Sequence, residues 1–297
     1  MRAVRDLARL VLPVECAGCG ALDEVLCAPC RALLTGPVRR CESSAPRLDL
    51  MDGRPPVPVW ALAAYTGPVR ELVVAWKDRG RADLTAMLRA ALAAGAVDVA
   101  RVLGAACLDP LPLLVVPAPS SGAARRRRGA DLVGQLARSV ALGCTGAGVP
   151  ARAARVLTQR RGVRDQVGLG ARARARNVAG RVRCRARTSL APGQPVLLVD
   201  DVLTTGATLA ACERAVCQAG GIVVGALTLA VTPPPSARRS GRDRPTDWPQ
   251  IGWMRAPGSV TVESRSLHGP SDRDAGRSRR WSVSRLWEEV LTDRPAG

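Results

Sequence analysis

The chain has 297 residues, 47% of them hydrophobic and 23% charged, which suits one or two ordinary domains and excludes a collagen-like or wholly disordered chain. Aromatics make up 2%, with no Phe and one Tyr, so a core must be built from Ala, Val and Leu. The net charge is +19, yet only one basic residue, Lys77, is a lysine; the arginine bias matches GC-rich coding, which lowers the weight of any single arginine and raises that of the lysine.

The N-terminal run is interrupted by Asp6 and Arg9, no A-x-A site precedes the first cysteine, and no apolar run is long enough to span a bilayer. No signal peptide is read, and a cytoplasmic protein is the expectation. Next come Cys16-Ala-Gly-Cys19 and Cys27-Ala-Pro-Cys30. Each CxxC can fold into a knuckle that aims two sulfurs at one ion, and four thiolates complete a tetrahedral zinc site. In a reducing compartment this pattern reads as metal rather than disulfide. Four protein ligands leave no open position, so the zinc would be structural. The alternative is a set of redox or incidental cysteines. Cys41 has no partner at short range, and the remaining cysteines read as small core residues.

Residues 1–43 are therefore taken as a zinc-binding module, and the Pro/Gly-rich stretch 44–59 as a linker. Residues 60–65 form a strand candidate. Pro68 opens a helix whose Val69, Leu72, Val73 and Trp76 share one face. Asp83 is placed as the cap of a second helix over 84–96. Leu113–Val116 is a continuous apolar run, as in a strand buried on both faces. A basic loop and a helix over about 130–142 follow, then a weak strand end at Val156-Leu157. Residues 158–187 lack periodicity and read as a long loop or flap. Val196–Val199 is a second buried strand, Thr208–Ala219 a helix stopped by Gly220-Gly221, and Ile222–Val231 a third strand. Strands alternating with helices predict an α/β fold with a parallel sheet over 60–232, whose ligands sit outside the carboxyl ends of the strands. Residues 233–297, rich in Arg, Ser, Gly and Pro, read as a disordered tail with one short amphipathic helix near its end.

The charge is uneven. Residues 121–187 hold 17 arginines against Asp131 and Asp165, so nearly the whole excess lies there. Such a field attracts polyanions, either nucleic acid or a small molecule with several phosphates. No aromatic platform for stacking bases occurs in that stretch.

The chemistry concentrates in VLLVDDVLTTGATL, residues 196–209. A buried strand is expected to end at Asp200 and Asp201, followed by a turn with Thr204, Thr205 and Gly206 and then a helix. The N–H groups and dipole of a helix N-terminus favour an anion. Three threonine hydroxyls add donors, and Gly206 permits close approach or positive φ. This is a monophosphate cradle and lacks the G-x-x-x-x-G-K-[ST] pattern of a Walker loop. Two carboxylates beside it would repel phosphate unless they faced a sugar diol or Mg²⁺.

DDVLTTGATL resembles the 5-phosphoribosyl-1-pyrophosphate (PRPP) signature of type I phosphoribosyltransferases. Together with the paired CxxC, Tyr65–Arg70, Lys77–Gly80, Val116–Pro119, Arg126–Gly129, Leu157–Gln159 and Arg172–Val178, it resembles the ComF/GntX family over roughly residues 10–232. Here Ala130-Asp131-Leu132 stand where many relatives have Phe-Asn-Gln. The resemblance implies a type I phosphoribosyltransferase-like sheet, with Thr204, Thr205, Gly206, Ala207 and Thr208 on the 5-phosphate and Asp200 and Asp201 on the ribose hydroxyls and Mg²⁺. Pro119–Arg128 would face the pyrophosphate, with Arg126 and Arg128 as contacts because guanidinium forks match phosphate oxygens. Lys77 either reaches phosphate or is a surface lysine. Residues 158–187, including Gln159, Gln166, Arg172, Arg176 and Asn177, would form a hood that excludes water. Three functions are implied: transfer of phosphoribosyl to a nitrogen acceptor, an accessory role in DNA uptake that binds single-stranded DNA beside a helicase-type competence partner, or PRPP sensing without transfer.

Overall fold

The computed structural model describes residues 14–51, 55–105, 111–120, 129–159, 182–185 and 190–234. Helix α1 (Ala28–Ala32) and a two-residue strand β1 (Arg39–Arg40) precede a 3-10 turn (Glu42–Ser44) and β2 (Val59–Ala64). Then come α2 (Gly67–Asp78), a second 3-10 turn (Ala82–Leu84), α3 (Thr85–Ala105), β3 (Leu113–Pro117), α4 (Leu132–Gly146) and β4 (Ala151–Ala153). The chain continues through β5 (Leu157–Gln159), β6 (Val182–Cys184), β7 (Pro195–Leu203), α5 (Ala207–Gln218) and β8 (Ile222–Val231).

Six strands form one sheet in the order β1-β2-β8-β7-β3-β4. Only β1 is antiparallel to its neighbour; every other pair runs parallel. β5 and β6 pair separately as an antiparallel stem, with Gln159 opposite Val182. The central strands are rich in Val, Leu and Ala because both faces are covered, and β3 is buried along its whole length. With no Phe in the chain, α3 and α4 meet on small residues. A Cβ on Gly143 would lie 2.2 Å from the Ala93 carbonyl oxygen, so that crossing tolerates only glycine. Arg89 Nε donates to Ser139 Oγ at 2.9 Å across the same seam.

The chain order of these strands creates a crevice. From β3 the chain crosses through α4 to β4 on one side, whereas from β7 it crosses through α5 to β8 on the other. The switch point is the gap between β3 and β7, where ligands of such sheets bind at the carboxyl ends.

Three expectations need correction. The strand read as Val196–Val199 runs on to Leu203, so Asp200 and Asp201 lie inside it: Asp200 is opposite Thr228 and Leu203 opposite Val231. The long partner β8 offers ladder positions past the apolar run, and Val202 and Leu203 continue it. Asp83 does not stand at the helix boundary; it sits within the 3-10 turn, paired with Arg81 at 2.9 Å, and α3 starts at Thr85 and runs 21 residues rather than stopping at 96. The stretch read as a linker is also packed in part: Ala45 and Leu48 are buried, and Arg47 N–H donates to the Thr205 carbonyl at 2.8 Å. Residues 235–297, which include the tail helix inferred from sequence, lie outside the described residues.

Candidate functional site

The phosphate-cradle motif folds as a strand, a turn and a helix. β7 ends at Leu203, Thr204 and Thr205 are exposed in the turn, and α5 begins at Ala207 with Thr208 in its first turn. Gly206 is the N-cap residue, in the left-handed region at φ 83°. A non-glycine residue strains there, and Gly206 has a second reason to be glycine. An added Cβ would lie 2.8 Å from Leu48 N and 3.1 Å from Ala45 Cβ. The segment 45–48 thus lies against the back of the turn, tied by the Arg47–Thr205 bond, and leaves the threonines facing out. The first N–H groups of a helix have no intrahelical acceptor, so the arrangement suits an anion.

Successive strand residues point to opposite faces, so Asp200 and Asp201 leave β7 on opposite sides. Asp201 is buried, and its Oδ2 lies 2.5 Å from Lys77 Nζ in the last turn of α2. Its Oδ1 accepts the Val202 N–H at 2.8 Å. Asp200 is half-buried, and its Oδ1 accepts the Asp201 N–H at 2.9 Å. Burial and the neighbouring Asp201 charge push the Asp200 carboxyl up to about 7, against the pull of that N–H and of Lys77. Its charge is felt by Cys212 on α5, whose thiol is held well above its ordinary range chiefly by burial. Asp200 therefore lies toward α5 and Asp201 toward α2.

The cysteine module contains the second cluster. The sulfurs of Cys16, Cys19, Cys27 and Cys30 lie within 4.8 Å of one another, with Cys16–Cys27 at 3.6 Å and Cys19–Cys27 at 3.5 Å. Tetrahedral thiolates at about 2.3 Å from zinc are about 3.8 Å apart, so four close cysteines of this geometry could bind a metal such as zinc. Burial raises the Cys16 thiol, but the backbone N–H groups of Cys27, Cys19 and Gly18 bring it down to about 6. Burial and the other three sulfurs push Cys30 up, and this stacking of thiolates is what a cation relieves. Gly18 packs closely on the cluster, since an added Cβ would lie 2.8 Å from Cys30 Sγ. Cys41 is not part of the cluster; it is buried, and its thiol donates to the Val59 carbonyl at 3.3 Å.

The module is fixed to α2 and the turn that follows it. Arg81 donates to the carbonyls of Glu15 at 3.1 Å and Val25 at 3.3 Å, while Asp83 holds its guanidinium. Neither Arg81 nor the 45–48 segment stood out in the sequence. Arg81 is one arginine among many, and Leu48 sits in a stretch that reads as a linker.

Of the residues singled out from sequence, the structure brings Asp200, Asp201 and Lys77 together beside the turn of Thr204, Thr205, Gly206, Ala207 and Thr208. Gln159 is half-buried at the end of β5, one arm of the stem that brackets residues 160–181. The other arm rests on α5, where the Cys184 thiol donates to the Ala215 carbonyl at 3.4 Å. Arg126, Arg128, Gln166, Arg172, Arg176 and Asn177 lie outside the described residues. Among the described residues, no helix is long and apolar enough to cross a membrane. Arg155, from the basic stretch, pairs with Asp131 at 3.2 Å.

No protein-family model matches the sequence. The chain is 54% identical over 43 residues to adenine phosphoribosyltransferase from each of two strains of Ureaplasma parvum serovar 3, which is 14% of this chain and 25% of the enzyme. It thus spans about a quarter of the length of these curated relatives. Among solved structures, it is similar to the glutamic acid mutant from an analysis of an invariant aspartic acid in HPRTs, at 16% identity and a TM-score of 0.33 over 54% of this chain and 73% of that one. It is also similar to adenine phosphoribosyltransferase from Leishmania tarentolae, at 16% identity and a TM-score of 0.30 over 67% and 86% of the two chains. The architecture is mixed α/β, with a mostly parallel sheet, flanking helices and a four-cysteine cluster ahead of it.

Proposed function

We propose that this chain is a phosphoribosyltransferase-domain protein that binds PRPP with Mg²⁺ at the carboxyl end of β7. The observation that supports this reading best is where the acidic pair and the anion-binding turn lie: together, at the gap between β3 and β7 where the crossovers diverge. The 43-residue identity to adenine phosphoribosyltransferases points the same way. The turn of residues 204–208 holds the 5-phosphate through N–H groups and hydroxyls. Asp200 accepts from the ribose hydroxyls. Its half-buried carboxylate supplies the hard oxygen donors that Mg²⁺ prefers, and bound Mg²⁺ would neutralise charge on the pyrophosphate. By the resemblance alone, Arg126 and Arg128 would contact the same pyrophosphate. In transfer, the bond from ribose C1 to the pyrophosphate oxygen breaks with its electron pair leaving on the pyrophosphate. A nitrogen lone pair forms the new bond to C1 and the nitrogen releases its proton. No protein nucleophile is required.

The paired CxxC ahead of this unit further supports a ComF/GntX-like protein with a structural zinc. Calorimetric titration of PRPP with Mg²⁺ into wild type and the Asp200→Asn variant tests the reading. Binding by wild type with at least a tenfold loss in the variant is expected. Transfer then separates an enzyme from a PRPP sensor in a screen of nitrogen bases. Absence of binding by wild type overturns the reading, and salt-dependent DNA binding by the 121–187 stretch becomes the question.

A further inference from the structure

The one lysine of the chain is committed to a carboxylate. Lys77 Nζ lies 2.5 Å from Asp201 Oδ2, and the Asp201 side chain is 9% exposed against 32% for Lys77. The contact is made at the end of a rigid path. α2 buries Leu72, Val73 and Trp76, and the Trp76 indole N–H donates to Thr85 Oγ1 at 3.0 Å. An added Cβ on Gly18 would lie 3.3 Å from Pro68 Cβ, so the first turn of α2 rests on the cysteine module. Arg81, just past its C-terminus, is tied to that module's carbonyls. The helix dipole favours a cation in the last turn, and a slender stem lets the ammonium reach inward while its chain stays against apolar surface. Apart from His268, all other basic residues of the chain are arginine. A planar fork spreads its charge over several donors and suits two-oxygen partners, whereas a compact ammonium suits a single carboxylate oxygen in a narrow slot.

We propose that Lys77 is a positioning residue: it binds Asp201 rather than the ligand, and by holding Asp201 on the α2 side of β7 it leaves Asp200 as the carboxylate that serves the sugar. This rests on the PRPP reading above and changes the role of two of its residues. Asp201 becomes part of the frame, and the N-terminal elements become part of the site, since α2 is what brings Lys77 to β7. Removal of Lys77 leaves the buried Asp201 charge beside Asp200, removal of Asp201 turns Lys77 toward Asp200, and removal of both leaves two neutral groups of similar shape.

A double-mutant cycle tests this on the full-length protein. The affinities for PRPP with Mg²⁺ and for inorganic pyrophosphate with Mg²⁺ are measured for wild type, Lys77→Met, Asp201→Asn, the double variant and Lys77→Arg, with Tm recorded for each. Lys77→Gln replaces Lys77→Met if the latter does not fold. Expected are losses of about tenfold in PRPP affinity for each single variant and a double variant no worse than the weaker single. Pyrophosphate binding stays within about threefold throughout, and Lys77→Arg falls between wild type and Lys77→Met. Multiplicative losses, or a tenfold loss of pyrophosphate binding in Lys77→Met alone, would mean that Lys77 contacts phosphate, and the proposal falls while the PRPP reading stands. No PRPP binding by wild type overturns both.

Discussion

The Asp200 carboxyl gives the sharpest test of the electrostatics. Asp200→Asn keeps the shape and the oxygen that accepts the Asp201 N–H, and removes only the charge. The folded carboxyl is raised from an ordinary 3.8 to about 7, chiefly by burial and then by Asp201. A raised carboxyl means that the folded state holds its proton more tightly than the unfolded chain. Stability from this group is therefore present below about pH 4 and is lost as pH rises through the window up to about 7. At about 1.4 kcal/mol per tenfold change in proton affinity, the rise from 3.8 to about 7 sets an upper bound of about 4 kcal/mol, and partial solvent exposure reduces it to roughly 2 kcal/mol. The variant should accordingly be more stable than wild type at pH 8 by about 2 kcal/mol and equal to it near pH 4. Urea unfolding at pH 4, 6 and 8 measures this directly. PRPP affinity should fall in the same variant, so that stability and binding move in opposite directions as they do at functional sites. A variant less stable than wild type at pH 8, or one whose advantage grows toward acid, would refute the assignment of Asp200 as a destabilised, ligand-serving carboxylate.

Other substitutions test the surrounding frame. Gly206→Ala combines left-handed strain with a Cβ 2.8 Å from Leu48 N, and should cost about 2–4 kcal/mol in urea unfolding along with at least tenfold in PRPP affinity. Leu48→Ala, at a side chain with 0% exposure behind the turn, should cost about 2–5 kcal/mol; unchanged stability would show that the 45–48 segment is not seated on Gly206. Gly18→Ala places a methyl 2.8 Å from Cys30 Sγ and should lower zinc content, measured by plasma mass spectrometry, to below half of wild type. Full zinc occupancy in that variant would argue against the observed packing of the module.

What could be read along the chain was what the chain encodes locally. β3 and β8 announce themselves as apolar runs rich in Val, Leu and Ala, and the turn at 204–206 is marked by its own threonines and glycine. The four cysteines carry their spacing with them. The continuation of β7 through Asp200 and Asp201 was not legible, because two acids after an apolar run look like a strand end until the length of the partner strand is known. That difference matters chemically: inside a strand, adjacent carboxylates face opposite ways, whereas in a loop both could have turned to one ligand. The partner of Asp201 was hidden for another reason. Lys77 stood out by its uniqueness, but only the fold brings the end of α2 to β7. The 45–48 segment is the clearest case of local signals misleading. Pro46 reports a chain without regular structure, and that is correct; it says nothing of whether such a chain is seated. Here it is, with Leu48 fully buried and Arg47 bonded to the turn. The motif supplies the turn and the acids, while a lysine and a strap from the N-terminal third fix where they point. On this arrangement a βαβ unit bearing the same ten residues, but lacking α2 and the strap, would keep the signature and lose the geometry that makes it a site.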